Sequence, residues 1–198
     1  MAPRLPLESG STERRSARRG WALALLSLAA VLGCILVAAL WAGRDEFANH
    51  RAYLLGQTDA RVAMDYAALS PAMDEAALQR QLGPVALLCR DVAGGDTRLC
   101  EAPLAQADGV AAARLRATLA QGRLQQLEVF VPWWAHHGAA RTLTAHLGAP
   151  TAVGPEPAAS GQPSEILWAL PHGTLHTVRA PGWNPWRWSV LRWTAGSS

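Results

Sequence analysis

A run of 23 residues without a charge, Trp21 to Gly43, constrains this chain more than any other feature of its sequence. At about 1.5 Å per helical residue, such a run is long enough to cross a hydrocarbon core of roughly 30 Å. Trp21 and Trp41 stand near its two ends, where indole rings favour the headgroup layer of a bilayer. The sequence therefore predicts one N-terminal transmembrane helix over residues 21–43.

The distribution of charge predicts the orientation of that helix. Residues 1–20 hold five of the 18 basic residues and two of the 15 acidic residues, so the remaining 13 of each sign balance. Short arginine-rich tails stay in the cytoplasm. We therefore expect a cytoplasmic tail over residues 1–20 and a periplasmic remainder, at the inner membrane of a Gram-negative bacterium. The neutral remainder lacks the basic footprint of a nucleic-acid-binding protein.

The N-terminus is open to three other interpretations. Val31-Leu32-Gly33-Cys34 is a loose lipobox, which would make the protein an envelope lipoprotein lipidated at Cys34. Arg18-Arg19-Gly20 before an apolar helix resembles a prepilin leader, and this predicts a pseudopilin-like structural subunit of a secretion system, although Leu25 stands where that family usually has Glu. A signal cleaved after Ala39 is the third. The apolar residues that continue beyond Cys34 favour an uncleaved anchor.

The predicted span also contains a pair of small residues. Ala29 and Gly33 lie four positions apart, a spacing that lets two transmembrane helices approach closely. This predicts a possible homodimer through that helix face, in addition to the lipid bilayer as a partner.

An internal repeat predicts the organisation of the periplasmic part. Ala77–Pro84 is echoed by Thr142–Pro150, and each segment has the Gly-then-Pro pattern that ends a helix. The first helix begins near Asp74 or one turn earlier at Ser70, and the second covers residues 137–147. Strand-like segments follow each helix. We predict an α+β fold: the transmembrane helix, a helical connector over residues 44–68, and two similar helix-plus-antiparallel-sheet units over residues 69–132 and 133–198.

The first hairpin can be predicted in register. If Gly94-Gly95 forms a two-residue turn, Cys89 lies opposite Cys100 and Asp91 lies opposite Arg98. Because an exported pair of cysteines is expected to oxidise, this register predicts a disulfide between Cys89 and Cys100.

The second hairpin joins residues 113–120 to residues 124–131 and allows two registers. A two-residue loop puts Leu115 opposite Glu128. A three-residue loop over residues 121–123, with Gly122 left-handed, instead pairs Leu115 with Val129, Ala117 with Leu127 and Ala113 with Val131, and it puts Arg116 opposite Glu128. We prefer the second register because it keeps the apolar residues on one face. Later strands are expected over residues 165–170, 174–179 and 186–193, with a mobile loop over residues 153–163.

The segment Leu69–Pro84, LSPAMDEAALQRQLGP, resembles the opening motif of SmpA/BamE-like periplasmic domains, and a tandem copy resembles the architecture of the β-lactamase inhibitor proteins. The resemblance departs at Ala72, where the family has Gly, and at Asp74, where it favours Thr. It implies a protein-binding or envelope-assembly module with no active site. It also places a helix N-terminus near Asp74.

Candidate chemistry in the sequence is sparse. The histidines offer no closely spaced ligand pair of the kind that zinc sites use, because His137 and His146 are nine apart and the neighbours His136 and His137 diverge on a helix. His172 and His176 fall in a turn and a strand. There is no G-x-S-x-G elbow and no glycine-rich phosphate loop. We therefore expect no metal, no cofactor and no enzymatic activity.

Tryptophan is unusually frequent, with nine in 198 residues, and six of these stand in the stretches 133–134 and 183–193. In a strand from Trp186, this residue and Trp188 share one face while Trp193 lies on the other. One interpretation is packing between layers. The other is an aromatic patch for a protein partner or the outer leaflet, since Trp and Arg are favoured interface anchors. The residues predicted for such a patch are Trp183, Trp186, Trp188, Trp193, Arg187 and Arg192.

These observations together predict a membrane-anchored periplasmic module that binds or helps to assemble an envelope protein and has no catalytic activity. The alternatives are the pseudopilin-like subunit and the lipoprotein.

Overall fold

A computed structural model describes residues 10–42, 47–55, 58–93, 95–154, 164–180 and 187–196. The chain divides into two compact units, residues 1–44 and residues 45–198. In the first unit the structure describes one helix, α1, Gly10–Ala42. Across the described residues, no helix combines the length and the mean hydropathy needed to cross a membrane. The transmembrane helix expected over residues 21–43 stays a prediction.

The second unit contains three further helices and eleven strands among its described residues, which confirms the α+β class. A single turn of 3-10 helix, Trp133–Ala135, precedes the last helix. In chain order the elements are α2 (Phe47–Leu55), β1 (Arg61–Val62), α3 (Glu75–Leu82), β2 (Leu88–Asp91), β3 (Thr97–Pro103), β4 (Gln106–Ala107), β5 (Val110–Ala111), β6 (Arg114–Ala120), β7 (Arg123–Val131), α4 (His136–Leu147), β8 (Ala152–Val153), β9 (Glu165–Leu170), β10 (Gly173–Val178) and β11 (Ser189–Ala195).

Eight of the strands form one antiparallel sheet in the order β2-β3-β6-β7-β11-β10-β9-β8. Strands that follow α3 make one half of this sheet, and strands that follow α4 make the other. The halves meet where β7 pairs with β11, from Ser189 opposite Val131 to Thr194 opposite Gln126. The sheet therefore runs without a break across the boundary predicted between residues 132 and 133.

Helix α3 begins and ends at the residues that its sequence indicates. The carboxylate of Asp74, the N-cap, accepts a hydrogen bond of 2.7 Å from the backbone N–H of Ala77. Gly83 follows the last turn with a positive φ of 62°, a conformation that costs glycine little. Of the two predicted starts, Asp74 is confirmed, and Ser70 instead forms a separate turn that ends at Met73.

The first hairpin has the predicted register. Cys89 is opposite Cys100, Asp91 is opposite Arg98, and the two cysteines form a disulfide. The N–H of Val92 donates to the carbonyl of Thr97 beside the turn, at 2.9 Å. Gly94, half of the predicted turn, lies outside the described residues.

The second hairpin corrects the prediction of a three-residue loop. The pairs that were expected near its open end are present, with Leu115 opposite Val129 and Arg116 opposite Glu128. The turn itself has two residues, Gln121 and Gly122, both with positive φ. The pairing shifts after Thr118 because β7 contains one extra residue there. This shift accommodates both the predicted pairs at the open end and the two-residue turn. The expected pair of Ala113 with Val131 does not form, since β6 begins at Arg114.

A small second sheet, β1-β4-β5, combines β1 with the two strands that stand between β3 and β6 in the chain, and no sequence pattern predicted it. Strands β4 and β5 are joined by Asp108 and Gly109, which both have positive φ as a tight two-residue hairpin turn requires. The Asp108 carboxylate accepts a hydrogen bond of 2.7 Å from the N–H of Met64 and thereby ties the segment after β1 to this turn.

The later strands lie close to their predicted bounds. Strand β9 covers the predicted 165–170 range, β10 begins one residue early at Gly173, and β11 begins at Ser189, after the predicted start. Trp186 and residues 155–163, most of the loop predicted to be mobile, lie outside the described residues. In the predicted connector, α2 is a helix that packs near β6 and β1 is a strand.

Candidate functional site

The eight-stranded sheet has two chemically different faces, which we call the core face and the polar face. The core face packs against α3 and α4, and its buried residues share one cluster with Leu78 and Leu143 of those helices. Strand β11 shows the alternation, because Trp193 is fully buried in that cluster whereas its neighbour Arg192 is half-buried on the other side. The polar face is therefore the face of the sheet that is available to a binding partner.

A row of four charged side chains and one histidine crosses the polar face at right angles to the strands. Its members lie directly opposite one another on five neighbouring strands, β3, β6, β7, β11 and β10. We call this the charge row, and its residues in spatial order are Glu101, Arg116, Glu128, Arg192 and His176.

The first four members of the charge row form ion pairs across the strands. The Nε of Arg116 lies 3.0 Å from Oε1 of Glu101, and the Nε of Arg192 lies 2.9 Å from Oε1 of Glu128. Arg116 also approaches Oε2 of Glu128, at 3.9 Å. At the end of the row, Nδ1 of His176 lies 3.4 Å from Glu165 of the adjoining strand. The alternating signs from Glu101 to Arg192 hold the row in register and leave polar groups on a half-exposed surface.

Glu128 is the most buried member of the charge row, with its side chain only 10% exposed. It lies between the guanidinium groups of Arg116 and Arg192, which compensate the cost of burying a carboxylate. Arg114 and Arg116 also face the ring of Phe130, at 4.5 and 5.2 Å from the ring centroid. The arginines are thus oriented by carboxylates and an aromatic ring rather than free to rotate.

A second row runs parallel to the charge row and is neutral. Its members are half-buried, apart from an exposed alanine at one end, and four of the six carry hydroxyl or amide groups. In spatial order they are Leu99, Thr118, Gln126, Thr194, Thr174 and Ala169. Two adjacent rows thus offer charged groups and neutral hydrogen-bonding groups side by side.

Helix α2 covers the other flank of the charge row. Tyr53 of α2 contacts the rings of Trp188 and Trp134, each at a centroid separation of 5.7 Å. The indole N–H of Trp188 donates to Nε2 of His50, also in α2, at 3.2 Å. This aromatic cluster buries Phe130 and Trp188 in a small apolar group separate from the main core. The polar face is therefore covered at one flank and open along the two rows.

The described members of the predicted aromatic patch are not found together on the surface. Trp193 is fully buried and Trp188 is 5% exposed, so both are packing residues. Arg187 is exposed, and Arg192 belongs to the charge row. Trp183 and Trp186 lie outside the described residues. Among the described residues of the second unit, the tryptophans that do reach the surface are Trp133 and Trp134, 42% and 52% exposed.

Three ionisable groups away from the charge row are partly or fully buried: Tyr66, Asp108 and His136. Burial raises the pKa of Asp108, and burial beside this carboxylate raises the pKa of Tyr66 well above its usual value. The cavity beside Asp108 holds about 10 Å³, room for roughly one water and too small for a substrate. Burial lowers the pKa of His136, whose Nε2 lies 3.3 Å from the carbonyl oxygen of Arg179.

No metal site emerges from the described residues. Their one grouping of three ligand types combines Glu75 with Cys89 and Cys100, whose sulfurs are bonded to each other and so cannot ligate a cation. Of the histidines, His136 and His137 have neighbouring rings, with centroids 5.2 Å apart, and His176 faces Glu165.

Sequence reasoning missed most of the charge row. It placed Arg116 opposite Glu128 but did not connect this pair to Glu101 or to Arg192. Part of the charge row could be predicted, because the register of each hairpin depends on residues that are close in sequence. The pairing of β7 with β11 joins residues 64 positions apart, and no turn in the sequence encodes it.

Comparison with models of known protein families, with curated proteins and with solved structures gives no match to this chain.

Proposed function

We propose that this protein is a membrane-anchored periplasmic module that binds or helps to assemble an envelope protein, without catalytic activity, and that the polar face of its sheet is the binding surface. The observation that carries this proposal is the contrast between the two faces. One is sealed by α3 and α4, and the other presents the charge row and the neutral row at half exposure.

The geometry of the charge row favours a protein partner. Its arginines are fixed by carboxylates, so a partner meets preoriented guanidinium groups and loses little side-chain entropy on binding. Rows that alternate in sign favour a partner whose own charges alternate, and they reject a uniformly charged surface such as nucleic acid. Thr118 and Thr174 in the neutral row can donate or accept hydrogen bonds with a polypeptide backbone.

The proposed anchor is residues 21–43. The described large apolar side chains of this part of α1 are all exposed, from 55% at Val31 to 73% at Trp21. Exposed apolar groups over so long a stretch are stabilised by lipid or by another protein rather than by water. The arginine-rich tail supports a cytoplasmic N-terminus, and Ala29 with Gly33 offers a face for a homodimer in the bilayer.

We also propose that the second unit is a tandem repeat related to the SmpA/BamE-like domains. What supports this is the order of elements, because a helix followed by four strands of the large sheet occurs twice, and each helix ends at a glycine of positive φ, Gly83 and Gly148. Such a relationship favours a binding role over catalysis.

One alternative has an observation in its favour. Cys34 is free and exposed on α1, as lipidation of a lipoprotein signal requires. Intact mass spectrometry of membrane-extracted protein distinguishes the possibilities. The full-length mass supports the anchor, a start at a lipidated Cys34 supports the lipoprotein, and a start at Trp21 supports the pseudopilin-like subunit.

The binding surface is tested by photo-crosslinking in intact cells. A photoreactive amino acid is placed at Thr118 or Thr174 in the neutral row, and at Ala76 on the exposed side of α3 as the matched control. We expect a discrete adduct from the two row positions and none from Ala76. Adducts only from Ala76 would exclude the polar face as the binding surface.

A further inference from the structure

A second exposed surface in the described residues is apolar and lies beside α2. Leu54 and Leu55, in the last turn of α2, are 65% and 74% exposed. Tyr53 links them to Trp134, whose ring contacts that of Trp133 at a centroid separation of 6.0 Å. We call Leu54, Leu55, Trp133 and Trp134 the apolar patch. Four large exposed apolar side chains on two elements that contact each other through Tyr53 and Trp134 are unusual on a folded domain and indicate a surface that is covered in use.

The two elements that make the apolar patch contain no acidic residue. Neither α2, with sequence FANHRAYLL, nor the stretch from Trp133 to Leu147, with sequence WWAHHGAARTLTAHL, holds an Asp or a Glu. Their charged residues are Arg51 and Arg141, accompanied by four histidines. Asp45 and Glu46 precede α2 in the sequence, and the other acids of the second unit belong to other segments, including the charge row. An apolar surface on elements whose own charged residues are arginines complements a layer of anionic lipid headgroups.

The chemistry of the apolar patch also favours lipid. Tryptophan and tyrosine are the residues that prefer the boundary between headgroups and acyl chains, because their rings are apolar and carry one polar group. Leucines at a helix end can enter the acyl region while the arginine beside them stays among the headgroups.

We infer that the apolar patch rests on the bilayer and holds the domain against the membrane surface through anionic lipid. This inference goes beyond the proposed function. It rests on the proposed function in one respect, the anchor, because a chain anchored through residues 21–43 enters α2 at Phe47, only a few residues after the span. Membrane contact at this flank leaves the neutral row free for a protein partner.

The test uses the full chain reconstituted in vesicles of phosphatidylethanolamine and phosphatidylglycerol. In a Cys34→Ser background, Leu55→Cys is labelled with an environment-sensitive fluorophore, and Arg123→Cys, in the exposed β6–β7 turn, is the matched control. Spin-labelled lipids quench a probe in the bilayer, and iodide quenches a probe in water. We expect the Leu55 probe to be quenched several-fold more by the lipid label than the Arg123 probe, and several-fold less by iodide.

Two further variants sharpen the test. Replacing phosphatidylglycerol with phosphatidylcholine should reduce lipid quenching at Leu55, and so should the double substitution Trp133→Ser, Trp134→Ser, in protein shown by circular dichroism to be folded. Equal quenching of the Leu55 and Arg123 probes would overturn the inference. Protection of the Leu55 probe from iodide without vesicles would also overturn it, because the patch would then be covered by protein.

Failure of the proposed function gives a different result. If alkaline carbonate releases the chain from vesicles, the anchor over residues 21–43 is contradicted. Lipid quenching at Leu55 can persist in that case and still support contact between the apolar patch and the bilayer. If no adduct forms from Thr118 in cells, the assignment of protein binding to the polar face is contradicted, and the quenching result is unchanged.

Discussion

Arg192 and Trp193 are neighbours in β11, and they have opposite surroundings. Trp193 is fully buried among the residues that α3 and α4 cover, whereas Arg192 is half-buried on the polar face and pairs with Glu128. A strand places successive side chains on opposite faces, so one stretch of sequence serves both surfaces. The core face consists of large apolar residues, and the polar face consists of ordered charges. This difference teaches that folding depends mainly on one face, which leaves the other available for binding.

The largest effect is expected on the core face. Trp193→Ala removes a fully buried indole and should lower the free energy of unfolding by about 3–5 kcal/mol. Arg192→Ala, the matched control on the other face, should lower it by about 1 kcal/mol or less, because the Arg192 side chain is 43% exposed and Arg116 still faces Glu128. Urea denaturation of both variants measures the difference. Equal losses would remove the distinction between the faces.

Gly173 tests the same packing from the adjoining strand. A Cβ at this position would collide with the backbone oxygen of Thr194 and press on the Trp193 ring at 3.0 Å. Gly173→Ala should therefore destabilise the domain by about 1–3 kcal/mol, as overpacking does in well-filled cores. Gly95→Ala is the control, because a Cβ there meets no atom within 4 Å. A thermal melt compares them, and a Gly173→Ala variant as stable as the native chain would show that the core is looser than described.

The disulfide should have an effect of intermediate size at the edge of the sheet. Replacing both Cys89 and Cys100 with Ala opens a loop of sequence separation 11 and should cost about 2–3 kcal/mol in the chain-entropy description. Because β2 and β3 also remain paired by their backbones, the charge row should keep its geometry. Urea denaturation with and without reductant checks the value. A loss near zero would mean that β2 is already held by its neighbours.

Within the polar face, Glu128 is expected to matter most for stability. Glu128→Gln leaves Arg116 and Arg192 without their shared carboxylate and should cost about 1–2 kcal/mol, since both guanidinium groups still reach water. In a double-mutant cycle with Arg192→Gln, the coupling should be about 0.2–1 kcal/mol. A coupling of several kcal/mol would make the charge row a structural element like the core.

The smallest expected effect is a dependence of stability on pH through His136. Burial lowers its pKa in the folded state, so folding favours the neutral imidazole. Its contribution is complete above the unfolded pKa of about 6.5 and is lost as the pH falls through the interval between that value and the lower folded pKa. His136→Gln should flatten the decrease in urea midpoint between pH 7.5 and pH 5. An unchanged profile would assign the acid sensitivity to other groups.

How much of this could be predicted follows from the range of each interaction along the chain. The cap at Asp74, the register of Cys89 with Cys100 and the pair of Arg116 with Glu128 each depend on residues close in sequence, and all three predictions are confirmed. The turn at Gln121 was predicted to have three residues but has two. A register shift in β7 lets each of the two predicted registers occur in a different part of the hairpin. Turn chemistry alone does not encode such an irregularity.

The rest of the site depends on contacts between distant segments. Glu128 meets Arg192 only because β7 pairs with β11 at the centre of the sheet. Trp188 is buried only because α2 folds back onto it, which no local pattern of that weakly amphipathic helix indicated. The tryptophans were therefore noticed in the sequence, but which of them reach the surface was decided by tertiary packing.

The most direct test of the division between the faces measures stability and binding on the same variant. In Arg192→Gln, we predict a free energy of unfolding within about 1 kcal/mol of the native chain and loss of the photo-crosslinked adduct formed from Thr118 in cells. Arg80→Gln, on the exposed side of α3, should keep both. An Arg192→Gln variant that retains the full adduct yield at native stability would contradict the assignment of binding to the polar face.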